Sequence, residues 1–331
     1  MSNSHCKNLS VQCSIFRHTK KKRRIGFVCS RLVTLIKNPF LLMRLKSALS
    51  LILCYLVAVP SFAWWATGHR TVARIAAYYL EPGTRLRVAQ LLGVRDTPAS
   101  VANAMASAST WPDESKAPGT ADWHYINLAL QDSERDIAKR CPGENCVTAR
   151  IEIFTRQLAH RTPTGISDRN ALRYLIHFIG DVHQPLHTIS DADLGGNCEQ
   201  IKPVGEARNL HALWDGGIVA SLHLNDTKLA DSIEGYIERL DGGERKGWTK
   251  GDAKKWAWES HQLARRDIYQ RLHIPLMPVV FPKSCKTAPG EITNFRPYID
   301  SLYINDMKPV VRDQLAKAGL RLAHVLNQSL K

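Results

Sequence analysis

The chain has 331 residues and carries 45 Lys+Arg against 30 Asp+Glu, a formal net charge of +15. Eleven of those basic residues and none of the acidic ones fall in the first 63 positions, so residues 64–331 hold 34 basic against 30 acidic groups, net +4. A broad basic face on the main body is therefore excluded as a means of holding a polyanion, and any such partner has to be met by a local concentration of charge.

Taken in chain order, the first organised element is an export signal opening at Met43. Arg44 and Lys46 form its charged start, 48–59 its apolar centre, and Ser61, Phe62 and Ala63 a small-x-small cleavage site. The apolar run is too short to span a bilayer as a stable helix. It predicts cleavage between Ala63 and Trp64, no membrane anchor afterwards, and a periplasmic or secreted product. Residues 1–42 lack apolar periodicity and read as upstream sequence or an extended leader, although the basic run at 20–24 taken alone also has the pattern of a nuclear-localisation patch.

From 64 onward the apolar period is helical almost throughout. Val72, Ile75, Ala76, Tyr79 and Leu80 mark a first helix that stops at Glu81-Pro82-Gly83, and Val101, Ala104, Met105 and Ala108 mark a second. Ile151, Phe154 and Leu158 give a third. Leu172, Leu175, Ile176 and Ile179 give a fourth, opened by Ser167 or Asp168 as N-cap and closed before Pro185. Leu229, Ile233, Ile237 and Leu240 follow, then a tryptophan-bearing segment over 252–272, and Val311, Leu315, Ala318, Leu322 and Leu326 mark the last helix. Alternating strand patterns are scarce and no repeat or low-complexity linker interrupts 64–331, so the expected fold is a single all-α domain. The irregular stretches 111–124, 188–206 and 275–297 are the places where loops would shape a cleft.

Four cysteines lie beyond the export signal, Cys141, Cys146, Cys198 and Cys285, and they allow three pairings. Pro142 and Gly143 turn a short loop that favours Cys141 with Cys146, leaving Cys198 with Cys285 in an oxidising compartment. Half of a zinc ribbon is the competing reading of the first pair, and no second close cysteine pair completes it.

Two stretches concentrate metal-binding side chains. His177 and Asp181 are spaced i, i+4, as are His211 and Asp215, a spacing that brings both members to one helix face. His187, just past Pro185, is free to swing toward the same place. One such pair is weak evidence, but two pairs and a further histidine within about 40 residues point to a metal, and the imidazole and carboxylate types suit zinc.

Together with the segments Trp64–His69, Trp111–Glu114 and Trp123–Asn127, these stretches resemble the zinc-dependent S1/P1 nuclease family, in the family's order over nearly all of 64–331. The resemblance implies a mainly helical, exported, disulfide-bearing fold shared with zinc phospholipase C and built around three zinc ions. Carried over by motif, one zinc falls to Asp113, His124, His177 and Asp181, and a second to His187, His211 and Asp215. The third falls to His69, Asp181 as a bridge, and the amino nitrogen and carbonyl oxygen of Trp64. A free α-amine, with a pKa of about 7.7–8, can lose its proton and donate a lone pair; a peptide nitrogen cannot. Export cleavage would thus create a ligand, with the Trp64 indole packing to hold that terminus. Trp65 stands where the family more often has glycine and reads as a packing residue.

The implied reaction is endonucleolytic hydrolysis of single-stranded DNA and RNA to 5′-phosphate products by a monomer, with 3′-mononucleotides as further substrates of a 3′-nucleotidase activity. Three zinc ions against three carboxylates leave a formal +3, the local charge the surface lacks. Asp113 is the implied catalytic carboxylate. By the same resemblance Tyr125 stacks a base, Asn127 stands where relatives often carry an acid at the base edge, and Asn197 in the Gly195-Gly196-Asn197 turn faces substrate. Lys116, three positions after Asp113, is placed for a phosphate and equally reads as a surface lysine. Zinc phospholipase C is the alternative function; it takes a glutamate where this chain has Asp215. A non-catalytic zinc-binding or nucleic-acid-binding exported protein is a second alternative, disfavoured because all nine ligand residues are present. His183 is expected to hydrogen-bond rather than ligate, and His160, His223, His261, His273 and His324 to be surface or capping residues. Asn225 and Asn327 lie in Asn-x-Ser/Thr sequons.

Overall fold

A computed structural model describes residues 64–331. The expected export signal and leader, residues 1–63, lie outside the described residues. Twelve helices and one two-stranded ribbon organise the rest: α1 Ala66–Tyr78, α2 Pro82–Leu92, α3 Pro98–Ala108, α4 Trp111–Ser115, α5 Val147–His160 and α6 Asp168–Asp181 come first. The ribbon pairs β1 Gln200–Val204 with β2 Ala207–Asn209 antiparallel. Then come α7, assembled from Leu210–Ala212, a π-helical Leu213–Gly217 and Ile218–Ala220, followed by α8 Asp226–Arg239 and α9 Gly242–Trp248. α10 is Ala253–Leu263 with a π-helical extension Ala264–Gln270, α11 is Gly290–Asn294 and α12 is Ser301–Ser329.

The expected all-α architecture is the one observed, and the apolar stripes explain how it packs. α1 is the hub: Val72, Ile75 and Ala76 are fully buried, and the helix packs against α3, α8 and α12. α5 lies on α6, and α12 backs both. Ser167 rather than Asp168 caps α6, accepting from Asn170 N at 3.3 Å. Glu81-Pro82-Gly83 ends α1 as expected but also starts α2, because proline at the first helical turn has no amide hydrogen to lose; Gly93 then closes α2 in the left-handed conformation. The stretch 111–124, expected irregular, contains α4 and a 3₁₀ turn at Ala121–His124. Leu240, expected inside α8, is its extended C-cap.

Both expected disulfides are formed, Cys141–Cys146 and Cys198–Cys285, with Cα separations of 5.4 and 5.2 Å. His261 corrects the surface reading: it is fully buried, stacked on Trp258, with Nδ1 facing the Thr188 carbonyl at 3.2 Å. Its burial follows from the period of Ala257, Ser260, His261 and Ala264, all buried on one face of α10 and its extension. Both sequon asparagines have structural tasks. Asn225 caps α8, and the Asn327 amide bonds to Glu81 N and Tyr79 O.

Candidate metal centre

The site forms where the C-terminal end of α6 meets α1, α4, the 3₁₀ turn and α7. A stacked aromatic column of Phe154, Tyr174 and Phe178 runs behind it, with ring centroids 5.4 and 5.3 Å apart, and the His124 ring meets Phe178 edge-on. That column holds His177 and Asp181 on one face of α6, as the i, i+4 spacing predicts.

Asp181 is completely buried and its two oxygens look in different directions. Oδ2 lies 3.1 Å from His124 Nδ1 and 3.2 Å from His177 Nε2. Oδ1 lies 3.3 Å from His69 Nε2 without an aligned hydrogen bond. His124 Nδ1 and His177 Nε2 approach to 2.9 Å, and Asp113 Oδ1 is 3.5 Å from each. His69 stacks on His177 at 4.0 Å, close enough that His69, Asp113 and His177 also form one compact ligand group. Gly180 is required here, because a Cβ would come within 2.8 Å of His69 Nδ1.

A second group gathers His187, His211 and Asp215, all buried. His211 Nε2 is 3.4 Å from Asp215 Oδ2 and His187 Nε2 is 3.8 Å from Asp215 Oδ1, with the two imidazoles stacked at 5.0 Å. Gln184 donates its amide hydrogen to Asp215 and accepts one from Leu186 N, tying this carboxylate to the turn that carries His187.

Three ring nitrogens facing away from these groups point at backbone carbonyls. His177 Nδ1 bonds Ser109 O at 2.6 Å, His187 Nδ1 bonds His124 O at 2.8 Å, and His211 Nδ1 bonds Gly195 O at 2.6 Å. A carbonyl only accepts, so each Nδ1 carries a hydrogen and each Nε2 is the nitrogen turned inward. Gly195 has φ +62°, and a Cβ there would sit 2.3 Å from the Leu186 carbonyl, so no other residue fits the turn that aims His211. The buried Asp193 carboxylate holds the same turn through Gly195 N and Gly196 N. Sequence reasoning missed Ser109, Gln184 and Asp193. Gln184 was within reach, since it lies inside the histidine-rich stretch; Ser109 acts through its carbonyl and leaves no trace in residue type.

The electrostatics suit a cation. Burial pulls His69, His187 and His211 toward the neutral, ligand-competent form, His211 to about 3. For His177 burial acts the same way, but the Asp181 and Asp113 carboxylates outweigh it and raise it well above the ordinary range. Burial alone would raise Asp181, and the charge on His177 and bonds from the surrounding histidines overcome it. His69 Nδ1 and Nε2, Asp181 Oδ1 and His187 Nε2 are buried with no hydrogen-bond partner among the described residues, a costly arrangement unless an ion completes it. The donor set of imidazoles and carboxylates, in which an ion would displace the proton that the carboxylates hold on His177, therefore fits a divalent metal such as zinc.

Around the centre, the Trp64 indole is fully buried and donates from Nε1 to Gly180 O at 2.9 Å, while its carbonyl accepts from His69 N at 3.2 Å. This sets the Trp64 backbone beside the first group. Trp65 packs flat on Gly216, leaving no room there for a side chain. Lys116 is exposed in a left-handed conformation, and Asn127 is half-buried. The Asn197 amide bonds back to Leu194 O, and Tyr125 is half-buried with its hydroxyl on Asp122. None of these four substrate-side candidates belongs to a metal-ligand group. His183 is hydrogen-bonded as expected, through Nδ1 to Ile179 O and Nε2 to the Arg321 guanidinium.

Fold and site define a class: an all-helical, disulfide-bearing protein with histidine and aspartate groups arranged to hold divalent metal. Residues 64–331 match the family model described as S1/P1 Nuclease, and the chain belongs to that family. It is similar to Endonuclease 5 of Arabidopsis thaliana, 32% identical over 302 residues spanning 86% of this chain and 96% of that protein. Endonuclease 3 of the same plant is 31% identical over 278 residues, 81% of this chain and 89% of the relative. Nuclease P1 of Penicillium citrinum is 27% identical over 292 residues, 80% and 97% respectively. The family comprises secreted, zinc-dependent nucleases, hydrolases of phosphodiester bonds. Among the described residues no helix is long and apolar enough to cross a membrane.

Proposed function

We propose that the chain is an exported trinuclear-zinc endonuclease that hydrolyses single-stranded DNA and RNA to 5′-phosphate products, acts as a monomer, and also removes the phosphate of 3′-mononucleotides. The observation that carries this reading is the division of the buried Asp181 carboxylate, one oxygen toward His124 and His177 and the other toward His69. Asp113, His124, His177 and Asp181 hold the first zinc, and His187, His211 and Asp215 the second. His69, Asp181 and the freed amine and carbonyl of Trp64 hold the third.

Zinc at these positions supplies a water-derived nucleophile at neutral pH and positive charge for the leaving oxygen. The chain's residues do the positioning. Asp113, partly exposed like His124 while His177 and Asp181 are fully buried, orients the attacking water. The backbone carbonyls of Ser109, His124 and Gly195 keep the imidazoles aimed, so little reorganisation is needed as charge develops. Three divalent ions against Asp113, Asp181 and Asp215 leave a formal +3 in a largely buried basin, which does the work of the missing basic face. Tyr125 stacks an unpaired base, worth about 1–3 kcal/mol and available only when the base is out of a duplex. Asn127 both donates and accepts at the base edge, Asn197 meets the substrate across the cleft, and Lys116 meets a phosphate.

The test uses protein beginning at Trp64, loaded with zinc. It should carry three zinc ions per chain by mass spectrometry and cut single-stranded oligonucleotides far faster than duplexes, leaving 5′-phosphates. Equal rates on both substrates, or full activity with residues remaining ahead of Trp64, overturn the reading.

A further inference from the structure

The small disulfide loop has no part in the metal chemistry, yet its side chains converge on the residue assigned to stack the base. The Tyr125 hydroxyl donates to Asp122 Oδ1 at 2.5 Å. The other oxygen of Asp122 accepts from Asn145 Nδ2 at 3.0 Å, and Asn145 Oδ1 accepts from Trp123 Nε1 at 2.8 Å. Asn145 immediately precedes Cys146 in the ring closed by Cys141–Cys146. The Tyr125 backbone carbonyl accepts from the N–H of Val147, the first residue of α5 directly after the loop, at 3.1 Å, and the Arg150 guanidinium covers the Trp123 ring at 4.2 Å. The hydroxyl of Tyr125 is thereby linked through Asp122 to Asn145 of the covalently closed turn, and its carbonyl to the residue that follows that turn.

A tyrosine free to pivot would lose that freedom when a base stacks on it, and binding would weaken accordingly. Anchoring the hydroxyl removes the loss in advance. It also commits the phenolic hydrogen, so that Tyr125 meets substrate with its ring face and not as a hydrogen-bond donor.

We propose that Asp122, on the 3₁₀ turn, and Asn145, on the Cys141–Cys146 loop, are positioning residues that fix the ring plane of Tyr125 for stacking an unpaired nucleotide. This rests on the nuclease reading above and deepens it by naming what pre-organises the base site. The clasp sets affinity, and neither of its residues belongs to a metal-ligand group.

The test is a kinetic cycle on the zinc-loaded protein with a single-stranded oligonucleotide, with zinc content and circular dichroism measured for every variant. Tyr125→Phe keeps the ring and removes the anchor; Asp122→Ala removes the partner. Each should raise KM by about fivefold with kcat and zinc content unchanged, the loss of one hydrogen bond's worth of order, and the double variant should be no worse than either single one. The Cys141→Ser/Cys146→Ser variant should raise KM in the same direction. Additive effects in the double variant overturn the clasp, as does unchanged KM in Tyr125→Phe alongside a raised KM in Tyr125→Ala. Unchanged KM in Tyr125→Ala overturns the stacking reading itself, which separates the two failures. Unchanged KM in the serine variant removes the disulfide ring from the clasp.

Discussion

The metal basin and the substrate rim are built in opposite ways. In the basin, His69, His177, Asp181 and Asp215 have at most 1% of their side chains exposed, and three imidazoles are pinned by backbone carbonyls. On the rim, Lys116 is exposed and Tyr125, Asn127 and Asn197 are half-buried, on turns between elements. Chemistry that depends on placing ligand atoms within tenths of an ångström is set into packed helices, where moving one atom moves many. The proposed recognition of varied bases falls to side chains whose contacts are few. Tyr125 is the instructive intermediate, a rim residue held by a clasp of its own.

This contrast can be broken most severely at Asp181. Asp181→Ala removes an oxygen from two ligand groups at once, and turnover should fall about a thousandfold or more together with the zinc content. A variant that keeps its full zinc complement would show that the divided carboxylate is not what joins the groups.

Next in size is a pH effect that sharpens the role of burial. Burial depresses His261 to about 4 from an ordinary 6.5, the bond to the Thr188 carbonyl only partly opposing it. Between those values the unfolded chain binds more protons than the folded one, so the His261 contribution is complete above pH 6.5 and is lost as pH falls toward 4. The full swing is about 3 kcal/mol. Urea titrations of the zinc-loaded protein across that window should show a shallower pH slope for His261→Gln than for the natural chain. Parallel slopes would mean that His261 does not stay neutral in the fold.

Smaller again is Gln184→Ala, which releases Asp215 from its amide partner while leaving every ligand in place. Zinc affinity should weaken about 10- to 100-fold, read by competition with a chelator. The smallest effect is expected at the rim: Lys116→Ala should change kcat/KM by less than about twofold in 0.15 M salt, because an exposed charge is heavily screened there. A tenfold loss would move Lys116 from the rim into the machinery and erase the distinction.

What could be read ahead of the fold follows the same division. The i, i+4 pairs His177/Asp181 and His211/Asp215 were legible because helix geometry converts spacing into a shared face. Cys141–Cys146 was legible because proline and glycine turn a loop only a few residues long. α2 was hidden because one Glu-Pro-Gly punctuates both the end of a helix and the start of the next. His261 was misread because a lone histidine at helical spacing gives no sign of which side the core will lie on.

The amino-acid sequence by itself determined the helical class, the ligand inventory and the local pairings, since each depends on residues within a few turns of one another. Only the tertiary structure decided that His69 meets Asp181 across more than a hundred residues, that Ser109 and Gly195 aim two imidazoles through their carbonyls, and that Asn145 reaches Asp122. Those contacts depend on how whole helices and loops pack, and a carbonyl that orients a ligand is common to every residue type, so composition carries no record of it.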